Sequence, residues 1–412
     1  MKKVCIVDAA RSPIGKFRGS LSGLTAPILG SKVVKGILKR TEIGGDEIEH
    51  VIVGNVLSAG LGQNPAKQVV VYSGIPNDIP AYSVNMVCAS GLKAIGLGAQ
   101  EIESGRASVV LAGGIESMTN SPFLLKSNTS GVVRKVHKAG NLNLAEFAEK
   151  VRGSDLQLRD FEFIDEMMND GLFDCYTNLH MGALAEKIGR DYLISREEQD
   201  KYAFASHMKA ARAVRDGRFM REIIPIEADG KIIAADEGIR RDTSLEKLSE
   251  LKPAFEPSGT ITAGNASQLS DGAAFVLLMA EEEADRRGIE KLAIIESYAA
   301  SGSDPDKYGL APVPSIKKAL DYAGMGVRDV DLFEINEAFC VQVLGVAKEM
   351  GIDIEKVNVN GGATAIGHPI GASGAVILST LIYALNDYDK EVGVASLCHG
   401  GGGAFSMVIS KA

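Results

Sequence analysis

The chain has 412 residues, 45% hydrophobic and 24% charged, enough for a substantial core in roughly two or three domains. Its formal net charge of −9 excludes a general affinity for nucleic acid or anionic membrane, so any acidic ligand must be held by local basic residues. The five cysteines are odd in number and widely scattered, which excludes a disulfide framework and points to a reducing compartment.

The N-terminus has two lysines, but Asp8 and Arg11 break its apolar run, so Lys3 to Asp8 is expected as a first strand rather than a signal peptide. No run of about 18 apolar residues occurs, so no transmembrane helix is expected and a cytoplasmic location is. A helix is predicted from Ala26 to Arg40, and a second strand from Val51 to Leu57 (VIVGNVL). Next comes the stretch SVNMVCASGLKAIGLGAQEIESGRASVVLAGG, Ser83 to Gly114. An extended apolar run reaches Cys88, small residues turn the chain, and Leu92, Ile95, Ala99 and Ile102 mark one stripe of a helix ending near Gly105. Gly91, Gly96 and Gly98 weaken an isolated helix, so one that keeps them needs close backbone packing. A buried strand, Val109 to Ala112, follows.

Cys88 therefore sits where a strand hands over to a helix N-terminus. A cysteine there is expected to have a lowered pKa and a larger thiolate fraction, as a nucleophile needs. A small buried hydrophobe fits the same position.

Strands alternating with helices predict a largely parallel sheet covered on both faces. From Pro122 to Pro253 the long β-rich runs stop. Lys126, Arg134, Lys135, His137 and Lys138 form a basic loop, and charged amphipathic stretches such as Arg196 to Val214 follow. This block reads as an inserted, mainly helical and irregular subdomain. The β/α character returns from Thr260, with a strand at Phe275 to Met279. The second half then repeats the first at an offset of about 285 residues. VCIVDAARS resembles LAIIESYAAS, EHVIVGNVL around Asn55 resembles VDLFEINEAF around Asn336, and CASG at Cys88 resembles GASG at Gly371. An internal duplication is expected: a first half over 1–288 containing the insert at about 122–253, and a second half over 289–412. In such a fold the C-terminal ends of strands from both halves can meet at one site.

Three further stretches carry reactive groups. VNGGATAIGHPIGASG places His368 in a glycine-rich loop before a helix, SLCHGGGGA places Cys398 at a strand end before four glycines, and FEINEAF places Asn336 at another strand end. Each alone also reads as ordinary turn or cap chemistry. Cys88, His368, Cys398 and His399 could in principle bind zinc, but no pair has C-x₂-C spacing, so no metal is expected.

Taken in order, NMVCASG, GGIESM, TAGNAS with SDGAA, NEAF, GHPIGASG and CHGGGGA resemble the thiolase family, in particular its acetyl-CoA acetyltransferases, over nearly the whole chain. The resemblance implies an α/β fold of two βαβαβαββ halves in a five-layered αβαβα arrangement with an inserted loop domain. It implies a reversible Claisen condensation of two acetyl-CoA to acetoacetyl-CoA and CoA, or the reverse cleavage, through an acetyl-cysteine. The alternative within the family is a 3-ketoacyl-CoA thiolase acting on longer or branched chains. By the same resemblance Cys88 is the nucleophile, His368 its base, and Cys398 the acid/base at the α-carbon, a role suited by a thiol pKa near neutrality. Asn336 holds a water that with His368 forms one oxyanion hole, and the N–H groups of Cys88 and Gly400 form another. Ser267 is implied near the pantetheine, Leu172, His180, Met181 and Phe255 along its tunnel, Phe339 at the acyl end and Arg240 by the adenine. His180-Met181-Gly182 favours the short-chain type. CoA is substrate and product, no cofactor is implied, and a homo-oligomer, a dimer of dimers, is.

The chain departs from the family pattern in a longer linker around Lys126 to Leu158, in Tyr308 near the acyl pocket, in His399 beside Cys398 and in Ala404. A decarboxylating ketoacyl synthase would carry histidines where Cys398 and Asn336 stand. A non-catalytic CoA- or lipid-binding member would lack Cys88, His368 or Cys398, and all three are present.

Overall fold

In a computed structural model, which describes residues 2–127, 146, 149 and 161–412, every residue of the first strand, β1 (Val4–Arg11), is buried. Val4, Ile6 and Ala9 face one apolar cluster, and Cys5, Val7 and Ala10 face another, with a register shift between Ile6 and Asp8 accounting for the change of phase. The chain continues through α1 (Ala26–Thr41), β2 (His50–Gly54), α2 (Pro65–Ser73), β3 (Ala81–Val84), α3 (Ser90–Glu103) and β4 (Val109–Ser117). After the inserted block, which contributes α4 (Met181–Tyr192) and α5 (Arg196–Arg215), come β5 (Ser270–Ala280), α6 (Glu281–Arg287), β6 (Ala293–Gly302) and α7 (Pro312–Tyr322). The chain closes with β7 (Leu332–Ile335), α8 (Cys340–Met350), α9 (Ser373–Asp387), β8 (Val392–His399) and β9 (Gly403–Lys411).

The main path of the large sheet runs β7-β8-β9-β6-β1-β5-β4-β2-β3. The expectation of a largely parallel sheet is corrected. Among the described strands of this sheet, β7–β8, β2–β4 and β2–β3 pair in parallel, whereas the middle of the sheet is antiparallel throughout. Parallel neighbours need a crossover helix, and β8 instead turns straight back into β9 across Gly400 to Gly402. The two halves join where Val4–Ile6 pair with Ala293–Ile295.

Three cores define the layers. The central helices α3 and α9 are buried between inward-facing residues of both halves, including Val276 and Leu278 on one side and Phe405 and Met407 on the other. Helices α1 and α2 cover the outer face of the first half, and α7 and α8 that of the second. The order is therefore αβαβα, as the motifs imply. The central helices touch at their first turns through glycine: a Cβ on Gly91 would lie 3.0 Å from the Gly371 carbonyl, and one on Gly374 would collide with the Leu92 amide.

Several boundaries move. The strand expected over Val51 to Leu57 ends at Gly54, and the one expected from Val109 runs on to Ser117. The described part of the inserted block combines helices with short hairpins, Phe123–Ser127 pairing with Phe161–Asp165. Of the basic loop, Lys126 lies in that hairpin, 3.9 Å from Glu162; Arg134, Lys135, His137, Lys138 and most of the long linker lie outside the described residues.

Candidate active site

The extended run does not reach Cys88: β3 ends at Val84, and Asn85 to Ala89 form a tight turn. Val87 adopts a left-handed φ of 48°, a costly conformation for a β-branched residue. Local hydrogen bonds hold it there. Val87 N donates to Asn85 Oδ1 at 2.9 Å, Met86 N donates to Ser90 Oγ at 2.8 Å, and Ser90 Oγ donates to the Val87 carbonyl at 2.6 Å. Cys88 is thereby presented just ahead of α3, and its own N–H and that of Gly400 reach its sulfur.

The expected lowering of the Cys88 pKa is overturned. Burial pushes the thiol up to about 12, and nearby Glu116 adds to the rise against the two amides. Its neighbours Val56, Leu57, Met118 and Ile370 are apolar, so the helix terminus alone does not compensate for lost hydration. Burial therefore favours the thiol of Cys88 over its thiolate.

His368 sits in the loop before α9, its N–H donating to the Gln268 carbonyl at 3.0 Å. Its Nδ1 lies 2.6 Å from Ser373 Oγ, and that hydroxyl spends its proton on the Pro369 carbonyl at 2.8 Å. The hydroxyl can then only accept, so Nδ1 carries the ring proton and Nε2 is left as the basic nitrogen. Burial lowers the His368 pKa to about 4, which keeps the ring neutral near pH 7. Asn336 Nδ2 stands 3.5 Å from both ring nitrogens, in contact but beyond good hydrogen-bond distance.

Two buried glutamates outside the expected site residues brace these loops. Glu116, on β4, accepts from Gly371 N at 2.9 Å, Val56 N and Leu57 N at 3.2 Å, and Asn55 Nδ2 at 2.9 Å, tying the His368 loop to the first half. Burial pushes it up to about 8 despite those donors. Glu337 accepts from Tyr202 at 3.0 Å, Ser206 at 2.8 Å, Asn358 at 3.0 Å and Thr364 N at 2.9 Å, fixing the turn after Asn336. An acid inside the otherwise apolar GGIESM strand, and the serine of GASG, were the available signals for Glu116 and Ser373.

Cys398, one residue before the end of β8, lies opposite Ala404 and packs with Met181, Tyr308, Ala338 and Phe339. A pKa near neutrality does not hold here either, because burial, then the neighbouring Cys88, raises the thiol far above its ordinary value. His399 Nδ1 donates to the Gly400 carbonyl at 2.7 Å and so steadies that peptide. Burial lowers its pKa.

One cavity of about 50 Å³ collects Cys88, His368, Cys398 and Gly400 with Leu172, His180, Met181, Ser267, Tyr308 and Phe339. Tyr308 is 2% exposed and its hydroxyl donates to the Met181 carbonyl at 2.8 Å, making it a fixed wall. Phe255 adjoins the cavity by stacking on His180, with ring centroids 4.6 Å apart, and meets Phe339 edge-on at 5.8 Å. Arg240 is exposed and is not part of the lining; its backbone N–H donates to His207 at 3.1 Å. Such a site offers a thiol, a neutral imidazole base, a second thiol and converging amide donors, the set needed for acyl transfer with proton exchange at carbon.

Comparison with known proteins agrees. Residues 4–282 match the thiolase N-terminal domain and residues 289–411 the thiolase C-terminal domain. A probable acetyl-CoA acyltransferase of Staphylococcus epidermidis is 45% identical, covering 100% of this chain and 99% of the relative. An acetyl-CoA acetyltransferase of Allochromatium vinosum is 44% identical with the same coverage. The crystal structure of the Bacillus anthracis acetyl-CoA acetyltransferase superposes with a TM-score of 0.91 at 38% identity, covering 100% of this chain and 99% of that one.

Proposed function

The chain belongs to the thiolase family, and from that premise we propose that it is an acetyl-CoA C-acetyltransferase. It joins two acetyl-CoA into acetoacetyl-CoA and CoA, or cleaves acetoacetyl-CoA with CoA. What carries this reading is the convergence of Cys88, His368 and Cys398 on one cavity, with the Gly400 amide directed at the Cys88 sulfur.

In the condensation, His368 Nε2 takes the Cys88 thiol proton as sulfur attacks the acetyl carbonyl, so the high resting pKa of Cys88 is overcome only along the reaction. The Cys88 and Gly400 amides hold the oxyanion. The departing CoA thiolate takes the Cys398 proton, leaving a Cys398 thiolate that removes a proton from the methyl group of the second acetyl-CoA. Asn336, through a water, and His368 support the resulting enolate. Carbon attacks acetyl-Cys88, and Cys88 recovers its proton from His368. Burial that disfavours the Cys398 thiolate makes it a stronger base, which a weakly acidic C–H requires. CoA enters as substrate and leaves as product, and no further cofactor enters this reading.

The apolar and aromatic row of Leu172, Met181, His180, Phe255 and Phe339 suits a pantetheine arm, with Ser267 beside it and Arg240 outside at the adenine. Tyr308 and the small cavity favour acetyl and acetoacetyl groups over the longer or branched chains of a broader 3-ketoacyl-CoA thiolase. In the same reading the chain is a cytoplasmic homo-oligomer, a dimer of dimers. Among the described residues no helix is long and apolar enough to cross a membrane. Strand β3 is a sheet edge that exposes Tyr82 beside Val71 and Tyr72 of α2, which suits a second copy.

The test is to mix the protein with acetoacetyl-CoA and CoA and follow the enolate absorbance. Its rapid loss with formation of acetyl-CoA is expected. No loss, or turnover only with longer 3-ketoacyl-CoA, contradicts the assignment.

A further inference from the structure

Strand β7 carries an acid where its surroundings call for an apolar side chain. Side chains alternate along a strand, so Leu332, Glu334 and Asn336 share the face turned to the central helices, and Leu332 packs into the central core. Glu334 is 3% exposed, and its Oε1 has no hydrogen-bond partner among the described residues. Burial pushes it well above the ordinary carboxyl range, Glu337 and Glu222 add to the shift, and Lys209 opposes it. Burial thus favours its protonated form, which has an O–H to donate.

Two residues along, Asn336 is 1% exposed, and its Oδ1 also lacks a partner among the described residues. Both side chains line a cavity of about 10 Å³, a volume that suits a single water. Ser373, the acceptor for His368 Nδ1–H, lines it too. The hydroxyl of Ser373 donates to Pro369 and keeps one lone pair for a further donor.

We propose that Glu334 is a positioning residue for Asn336, acting through one water held in this cavity. The Glu334 O–H donates to the water, and the water donates to Asn336 Oδ1 and to Ser373 Oγ. With Oδ1 held on this side, the Nδ2–H groups of Asn336 stay on the His368 side. The opposite amide orientation would set a carbonyl oxygen against the basic Nε2. Glu334 thus serves both neighbours of the catalytic imidazole without touching substrate. This inference rests on the assignment of Asn336 and His368 to the thiolase reaction.

The test is thiolysis of acetoacetyl-CoA by the full-length protein. Glu334→Leu, of similar bulk, is expected to lower kcat about tenfold or more while KM stays near the wild-type value and Tm is unchanged or higher, because a poorly paired polar group leaves the core. Glu334→Gln keeps an N–H donor and is expected within about threefold of wild type. In an Asn336→Ala background, Glu334→Leu should cost nothing further. Wild-type kcat in Glu334→Leu, equal losses in the Gln and Leu variants, or independent losses in the double variant would each overturn the proposal. A crystal structure of the unaltered protein tests it without any substitution: a water bridging Glu334 and Asn336 Oδ1 is expected, and a dry cavity contradicts it. An inactive wild-type enzyme would instead defeat the thiolase assignment, so the two failures are distinguishable.

Discussion

The starts of the two central helices, α3 and α9, are duplicates put to different work. Ala89-Ser90-Gly91 and Ala372-Ser373-Gly374 occupy matching places, and the helices cross closely at those glycines. Ser90 turns its hydroxyl onto the local backbone, at Met86 and Val87, and so holds the strained turn that presents Cys88. Ser373 turns the same group onto His368 and sets its tautomer. Where the first half has Cys88 the second has Gly371, whose N–H goes to Glu116. The strand-end asparagines diverge likewise, Asn55 donating to Glu116 and Asn336 facing His368. Duplication supplied a frame with a helix start from each half at one cavity, and the chemistry comes from the positions where the copies differ.

Breaking that asymmetry should have graded effects. Cys88→Ala removes the proposed nucleophile and should abolish both turnover and acetyl labelling, read by intact-protein mass. Asn336→Ala should slow turnover by about 10²–10³-fold with the fold kept. Its counterpart Asn55→Ala should mainly cost stability, about 1–3 kcal/mol from the lost bond to buried Glu116, measured by denaturant unfolding. Ser373→Ala frees the tautomer of His368 and should lower kcat by about tenfold or more, whereas Ser90→Ala, at the cap-like position, should cost about 1 kcal/mol of stability.

A further effect is one of pH. His368 and His207 are each lowered to about 4 by burial. His207 must also stay unprotonated at Nδ1 to accept from Arg240 N. Groups with depressed folded values leave the unfolded chain binding more protons, so stability is full above about pH 6.5 and falls as pH drops towards 4. Each should cost about 2 kcal/mol at pH 5. Buried Glu116, raised to about 8, shifts stability the other way between pH 7 and 5, so the His207 share is read as the fall in urea midpoint from pH 7 to 5 that disappears in His207→Gln. A fall kept in full by that variant would mean that the ring is hydrated or paired in solution.

Much of this arrangement is legible from residues alone, because strand–helix alternation and the six ordered stretches carry the layers and the reactive side chains. Strand direction was not, since it depends on which strand a segment pairs with rather than on its own pattern, and β8 pairing back with β9 is a long-range fact. The raised pKa values of Cys88 and Cys398 come from burial among residues far apart in the chain, whereas the helix-terminus argument sees only local neighbours. Glu116, Glu334 and Glu337 are not legible for a related reason: in a hydrophobicity pattern a charge marks solvent, and here all three are buried, Glu116 and Glu337 as braces.

The central claim is that one cysteine is acylated while the other moves a proton, and deuterium wash-in from heavy water into the methyl group of acetyl-CoA tests it most directly. Wild type should exchange, and Cys398→Ala should lose exchange and condensation while Cys88 still becomes acetylated. Wild-type-like exchange by Cys398→Ala, or acetyl found on Cys398 instead of Cys88, would contradict the account and move the search for the acid to His399 or His368.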